Sequence, residues 1–322
     1  MTARAITPER DDELLRYRLS MRLGPEYANQ RLDIENETEA RLFGRDGRSF
    51  HLENLPKAPD LIRSCLWLSG MLRRGQENSR KLKLVERELW LPNLPERFDG
   101  FRLLHLTDLH VDMDAANLQA VINRITPLDY DLCVLTGDYR SKTHGPFEPA
   151  LEGMRQLRQV IKGNPLAILG NHDTIRMLPG LEDMGYRVLL NEYLRLDRAD
   201  EALYIAGVDD PHFYKTYDLH RAGGQIPETA TSILLSHSPE IWQEAQRAGF
   251  DVYLCGHTHG GQICLPGGIP VILEARCPRA LGRGHWLRGQ MQGYTSPGCG
   301  TSVLNVRLNC PPEVTIHTLK RA

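Results

Sequence analysis

The sequence has no CxxC pair, no even set of cysteines and almost no net charge. Its seven cysteines (65, 133, 255, 264, 277, 299 and 310) argue against a disulfide framework and against a thiolate zinc knuckle, and favour a reducing compartment. Lys and Arg number 39 against 41 Asp and Glu, for a formal charge of -2. That balance gives no global attraction to nucleic acid, which drops out of the expected partners. Residues 1–20 are dense in Arg, Asp and Glu and contain no apolar h-region. No secretory signal is expected there, and a cytoplasmic location follows. Internal repeats and low-complexity tracts are also missing. Length allows one large domain or a domain with an appendage.

One stretch, residues 252–273, carries no Lys, Arg, Asp or Glu but contains two His, five Gly and two Pro. Those breakers argue against a membrane span and for a buried strand with its following loop. The chain changes character near Leu91-Pro92-Asn93-Leu94-Pro95. A mainly helical, charged extension (1–98) is expected before a second domain (99–322). Residues 8–22 have the pattern of a short helix with acids in its first turn, and Gly44-Arg45-Asp46-Gly47 that of a turn. In residues 60–74, Leu61, Cys65, Leu68 and Leu72 follow helical spacing, and Ile62, Leu66 and Trp67 widen the apolar face. Residues 61–87 hold seven Lys or Arg against two Glu. Such a segment suits a peripheral membrane contact on anionic lipid, or simply docking on the second domain with a solvated basic flank.

Downstream, strands are expected at 102–106, 132–136, 166–169, 203–207, 232–235, 252–255, 302–308 and 313–319. Helical patterns fall at 115–124, 148–161 and 239–248. The alternation implies an α/β layered sandwich. Most of the chemistry sits where these strands end: Asp108-Leu109-His110, Gly137-Asp138, Gly170-Asn171-His172-Asp173, His237 and Gly256-His257-Thr258-His259. Oxygen and imidazole donors of this kind suit a two-metal centre. Strand ends of a layered α/β fold share one rim, so five loops bring their ligands together. The glycines permit tight turns and close backbone approach.

The ordered series DxH, GD, GNH(D/E), H and GHxH resembles the calcineurin-like metallophosphoesterase superfamily over roughly residues 99–319. The resemblance implies a four-layer αββα sandwich with two divalent ions, manganese foremost, with iron, zinc or cobalt as alternatives. It places the first ion on Asp108, His110, Asp138 and His259, and the second on Asp138, Asn171, His237 and His257. His172 is then left facing the substrate as general acid, with Asp173 holding its imidazole. Ions about 3.5–4 Å apart can share a hydroxide and clamp phosphoryl oxygens. Arg140 and Lys142 suit phosphate contacts, or a solvated loop. Asp209-Asp210-Pro211-His212 ends another strand and is a candidate for the substrate side; His105, inside a strand, is expected in the core.

GHTHGGQ (256–262), SHSPE (236–240) and FDGFRLLHLTDLH (98–110) resemble a bacterial, membrane-associated branch that includes UDP-2,3-diacylglucosamine pyrophosphatases. Three readings stay open: hydrolysis of a lipid-linked nucleotide diphosphate at the inner face of the bacterial inner membrane, a soluble phosphodiesterase or phosphomonoesterase, or a non-catalytic binding module.

Overall fold

Four-residue runs such as Leu132–Leu135 and Val252–Cys255 are apolar at every position because both of their faces are covered. In the computed structural model, which describes residues 8–43 and 58–322, these runs form the centres of two six-stranded sheets. The first sheet runs Lys83–Leu91, Glu313–Arg321, Arg102–Leu106, Leu132–Leu135, Leu166–Ala167 and Arg187–Val188. The second runs Gly284–Arg288, Met291–Thr295, Val252–Cys255, Ser232–Leu235, Glu201–Gly207 and Glu192–Arg198. Leu103, Val134 and Ile168 from the first meet Ile205, Ile233 and Leu254 from the second in one core layer. Helices Ala115–Ile125 and Glu148–Arg158 cover the first sheet, and Trp242–Arg247 packs on the second. The expected αββα sandwich is what forms.

The boundary expected at 98/99 does not separate two bodies. Lys83–Leu91 pairs in parallel with Glu313–Arg321 along nine residues, so the first sheet begins inside the supposed extension. Helix α1 (Pro8–Leu23) and helix α2 (Pro25–Phe43) also bury Leu19, Leu23, Ala28 and Leu32 in the core that backs the first sheet. Arg18 pairs with Asp183, and Arg22 with Glu182 and Glu192. The turn expected at residues 44–47 lies outside the described residues.

The helix expected over 60–74 is two: α3 (Ala58–Leu68) and α4 (Leu72–Asn78), broken at Gly70 with φ 69°. Leu66 docks on Val306 and Leu308, while Leu61, Trp67 and Leu68 stay exposed. Among the described residues no helix is long and apolar enough to cross a membrane. Residues 302–308, expected as a strand, form instead a bent loop across the sheet ends. Its polar groups are taken by side chains: Gln262 donates to Ser302 O and Leu304 O, and Asn117 donates to Asn305.

Candidate metal centre

Strands 102–106, 132–135 and 166–167 are mutually parallel, as are 232–235 and 252–255. Their carboxyl ends therefore open on one side, and contacts cross between the sheets there. His257 N–H donates to Asp108 at 2.9 Å, and His237 Nδ1 lies 2.8 Å from Thr136 O. The ligands leave their strands abruptly. Asp108, His110, Asp138, His257 and His259 all have φ between 41° and 71°, a region costly for residues with a Cβ. Glycine is obligatory beside them. A Cβ on Gly170 would lie 2.3 Å from Asp138 Oδ1, and one on Gly256 2.2 Å from Asp108 Oδ2.

Two groups of donors converge. Asp108, His110 and His259 are spaced to hold one cation, and Asp138, His237 and His257 a second. In the first, His110 Nε2 and His259 Nε2 are 3.2 Å apart, and Asp108 Oδ1 lies 3.6 Å from His259 Nε2. His110 Nδ1 donates to Arg140 O at 2.8 Å, which leaves Nε2 as the ligand nitrogen. In the second, Asn171 Oδ1 lies 2.9 Å from both His237 Nε2 and His257 Nδ1. Asp138 Oδ2 is 3.2 Å from the same His237 nitrogen. His237 Nδ1 is already donating to Thr136 O, so a neutral His237 turns a lone pair toward two acceptor oxygens. Only a proton or a cation relieves that arrangement.

Without metal the protein answers with protons. Burial works against charge on His237, yet Asp138 and Asp108 raise its pKa to about 10. Burial, with the like charge of Asp138, pushes Asp108 up to about 7. Burial keeps His257 and His259 far below their ordinary value, hence neutral and ready to ligate. Divalent cations fit this donor set, and binding one must expel the His237 proton. Metal binding is therefore expected to release protons, and affinity to rise as pH increases from 6 to 8. Calorimetry in buffers of different ionisation enthalpy measures the release directly.

His172 sits at the edge of both groups. Its Nδ1 is 3.0 Å from Ser141 O, and its Nε2 faces inward, 3.9 Å from Asp138 Oδ2. It opens on a cavity of about 240 Å³ lined by Ser141, Lys142, Thr143 and His144. Lys142 lines the same cavity as His172.

Three expectations are corrected. Asp173 does not hold the His172 ring: its carboxylate accepts backbone N–H from Asp138 (2.8 Å), Tyr139 (2.9 Å) and Gly170 (2.9 Å), tying two ligand loops together. Arg140 is buried, and its guanidinium donates to His172 O and Gly145 O, shaping the loop instead of meeting phosphate. Asp209 and Asp210 are buried and internally bonded, Asp210 to the N–H groups of His212, Phe213 and Tyr214. His212 of that group lies against the site, its ring 4.1 Å from that of His257 and its Nδ1 2.9 Å from Glu240. His105 is in the core as expected, where burial lowers its pKa to about 3.

Two supports escape sequence reasoning. Arg307, fully buried in the 302–308 loop, donates to His259 O at 2.9 Å and to Gly300 O. Helix α2 supplies the other. Glu35 accepts the Thr174 hydroxyl at 2.5 Å and Ile175 N–H at 2.7 Å, just past the Asn171-His172-Asp173 motif. Arg31 pairs with Glu35 and with Asp209, and its guanidinium lies 3.3 Å over the Tyr214 ring. The i,i+4 spacing of Arg31 and Glu35 is visible in the sequence, but it resembles any exposed helix pair. Glu35→Ala strips a buried arginine of one partner and is expected to cost about 3–5 kcal/mol of stability, read by urea unfolding.

Comparison with known proteins agrees with the geometry. Residues 101–261 match the sequence pattern of the calcineurin-like phosphoesterases. The chain is 30% identical over 237 residues to the uncharacterized metallophosphoesterase YkuE of Bacillus subtilis, covering 70% of this chain and 82% of that one. It is 27% identical to phosphodiesterase YaeI of Escherichia coli, covering 68% and 82%. It is also 27% identical to a transmembrane protein with metallophosphoesterase domain of Danio rerio, covering 81% and 62%. Among solved structures, the NAD nucleotidase of Haemophilus influenzae aligns with a TM-score of 0.41 at 18% identity, covering 62% of this chain and 45% of that one. The chain belongs to the calcineurin-like phosphoesterase family and is a metal-dependent phosphoester hydrolase.

Proposed function

We propose that the centre holds two divalent ions, manganese foremost, and cleaves a lipid-linked nucleotide diphosphate such as UDP-2,3-diacylglucosamine at a membrane surface. Asp108, His110 and His259 would hold the first ion, Asn171, His237 and His257 the second, with Asp138 shared. Bound there, the pair supplies Lewis acidity and a water of lowered pKa. The chain's own residues do the rest. Asp138 sets the spacing between the two groups, His172 Nε2 delivers a proton to the leaving oxygen, and Ser141 O keeps that ring turned inward. Lys142, on the mouth beside His172, meets the phosphate.

The observation that carries the chemistry is the convergence of seven buried donors, five of them on backbone that costs energy to hold. The lipid reading draws support from exposed Leu61, Trp67 and Leu68 on α3, within the basic segment 60–87. A soluble diesterase is the second reading, favoured by the relative named as a phosphodiesterase. Turnover of UDP-2,3-diacylglucosamine, bis(p-nitrophenyl) phosphate and p-nitrophenyl phosphate, with His172→Ala as control, separates the two. Release of UMP and lipid phosphate is expected. Hydrolysis of the model diester with no UMP released would overturn the lipid-linked reading in favour of the soluble one.

A further inference from the structure

The charge-free run 252–273 is only half absorbed by the fold. Val252–Cys255 is interior strand, but the hairpin formed by Cys264–Leu265 and Ile269–Pro270 leaves Leu265 54% and Ile269 58% exposed. Val271 and Ile272 follow at 56% and 49%. On α3, Trp67 is 69% and Leu68 76% exposed, and Ile62 of the same helix lines a cavity with Val271 and Ile272. Large apolar side chains gathered at such exposure mark a binding surface and do nothing for an isolated monomer.

Between α3 and the segments that flank the hairpin lies a cavity of about 250 Å³, walled mainly by Ile62, Ile263, Val271, Ile272 and Leu304, with Gln262 and Glu274 among its polar lining, and reaching His257 and His259. Apolar walls therefore lead straight to two of the metal-type ligands. The second cavity, with His172 and Lys142, shares Ser302 and Val303 with this one. Val303 is a β-branched residue held at φ 62°, a backbone state that such a side chain rarely adopts. One ligand can thus lie with a polar end among the histidines and an apolar tail between α3 and the segments that flank the hairpin.

The rim decides what that ligand comes from. Arg63 and Arg74 on the helical side, and Arg276 and Arg279 past the hairpin, are all exposed, while Arg73 beside them is paired with Glu77. Two copies of the chain meeting through this face would bring like charges together, whereas an anionic bilayer complements them. We infer that the groove between α3 and the segments 261–263 and 271–274 that flank the hairpin seats the acyl chain of an anionic phosphate-bearing amphiphile, with Trp67, Leu68, Leu265 and Ile269 resting in the lipid surface. The inference deepens the lipid reading above and rests on it for the position of the phosphate.

Binding of hexyl, octyl and decyl phosphate to the full Mn²⁺-loaded chain, below their micelle concentrations, tests the groove without requiring turnover. Each methylene entering apolar surroundings is worth about fourfold in affinity. Each two-carbon step should therefore tighten binding by roughly an order of magnitude, and Ile272→Ser should flatten the series. Sedimentation with phosphatidylglycerol vesicles tests the seat. Leu265→Asp and Ile269→Asp, both at exposed positions, should lower the bound fraction about tenfold, and phosphatidylcholine vesicles should bind weakly. Equal affinity from hexyl to decyl would overturn the groove. So would a dimer in solution that Leu265→Asp dissociates, or vesicle binding that neither variant changes. UMP release from UDP-2,3-diacylglucosamine, measured in parallel with bis(p-nitrophenyl) phosphate hydrolysis, reports on the lipid-linked reading itself, so the two can fail separately.

Discussion

Replacing His172 with alanine is expected to lower kcat on a phosphodiester by about 10²–10⁴-fold, the usual contribution of a positioned proton donor, with metal content unchanged. The split follows from placement. His172 belongs to neither group of converging donors; its Nε2 stands 3.9 Å from Asp138 Oδ2, and Ser141 O holds the opposite nitrogen. The fixed ring lies outside both donor groups, so its Nε2 is placed for the substrate and its loss removes no metal ligand. The loss should also depend on the leaving group. An alkoxide needs the proton and a p-nitrophenolate scarcely does, so the penalty should shrink as the leaving group becomes more acidic. Kinetics with both kinds of substrate, alongside metal analysis of the same preparations, provides the check.

Asp138→Asn is expected to fail differently, losing metal and turnover together. Asp138 Oδ2 lies 3.2 Å from His237 Nε2 and 3.9 Å from His110 Nε2, between the two groups. Burial disfavours its charge, but His237, His172 and His110 around it hold the carboxyl well below the usual range. An amide keeps the shape and removes the charge two cations would share, so at least one ion should be lost and kcat should fall roughly a hundredfold or more. Asp138 Oδ1 also accepts His172 N–H at 2.9 Å, so any shift in the Asp138 loop displaces the proton donor as well. Metal content by mass spectrometry separates this variant from His172→Ala at once.

The ligand series was legible in the sequence because each member follows an apolar run. Leu103-Leu104-His105-Leu106 and Leu132-Cys133-Val134-Leu135 announce interior strands, and parallel interior strands deliver their next residues to one rim. The edge strand Lys83–Leu91 was not legible: KLVERELWL mixes charge with leucine, as a strand covered mainly on one face does. The largely apolar run Ser302-Val303-Leu304-Asn305-Val306 resembles a strand, but Gln262 takes the backbone oxygens of Ser302 and Leu304 that a ladder would need. The functional contact of α2 was hidden for another reason. Glu35 acts on Thr174 and Ile175 across 139 and 140 residues of chain, and no local pattern encodes such a distance. Asp173 was misread through proximity, since adjacency in sequence to His172 says nothing about which backbone N–H groups will fill its carboxylate.

The most direct test of the two-ion hydrolase is to titrate metal-free protein with Mn²⁺ while following bis(p-nitrophenyl) phosphate hydrolysis and bound metal together. Two ions per chain should bind, with turnover rising as the second site fills and disappearing on chelation. Saturation at one ion with full activity, or hydrolysis that persists after chelation, would contradict the account.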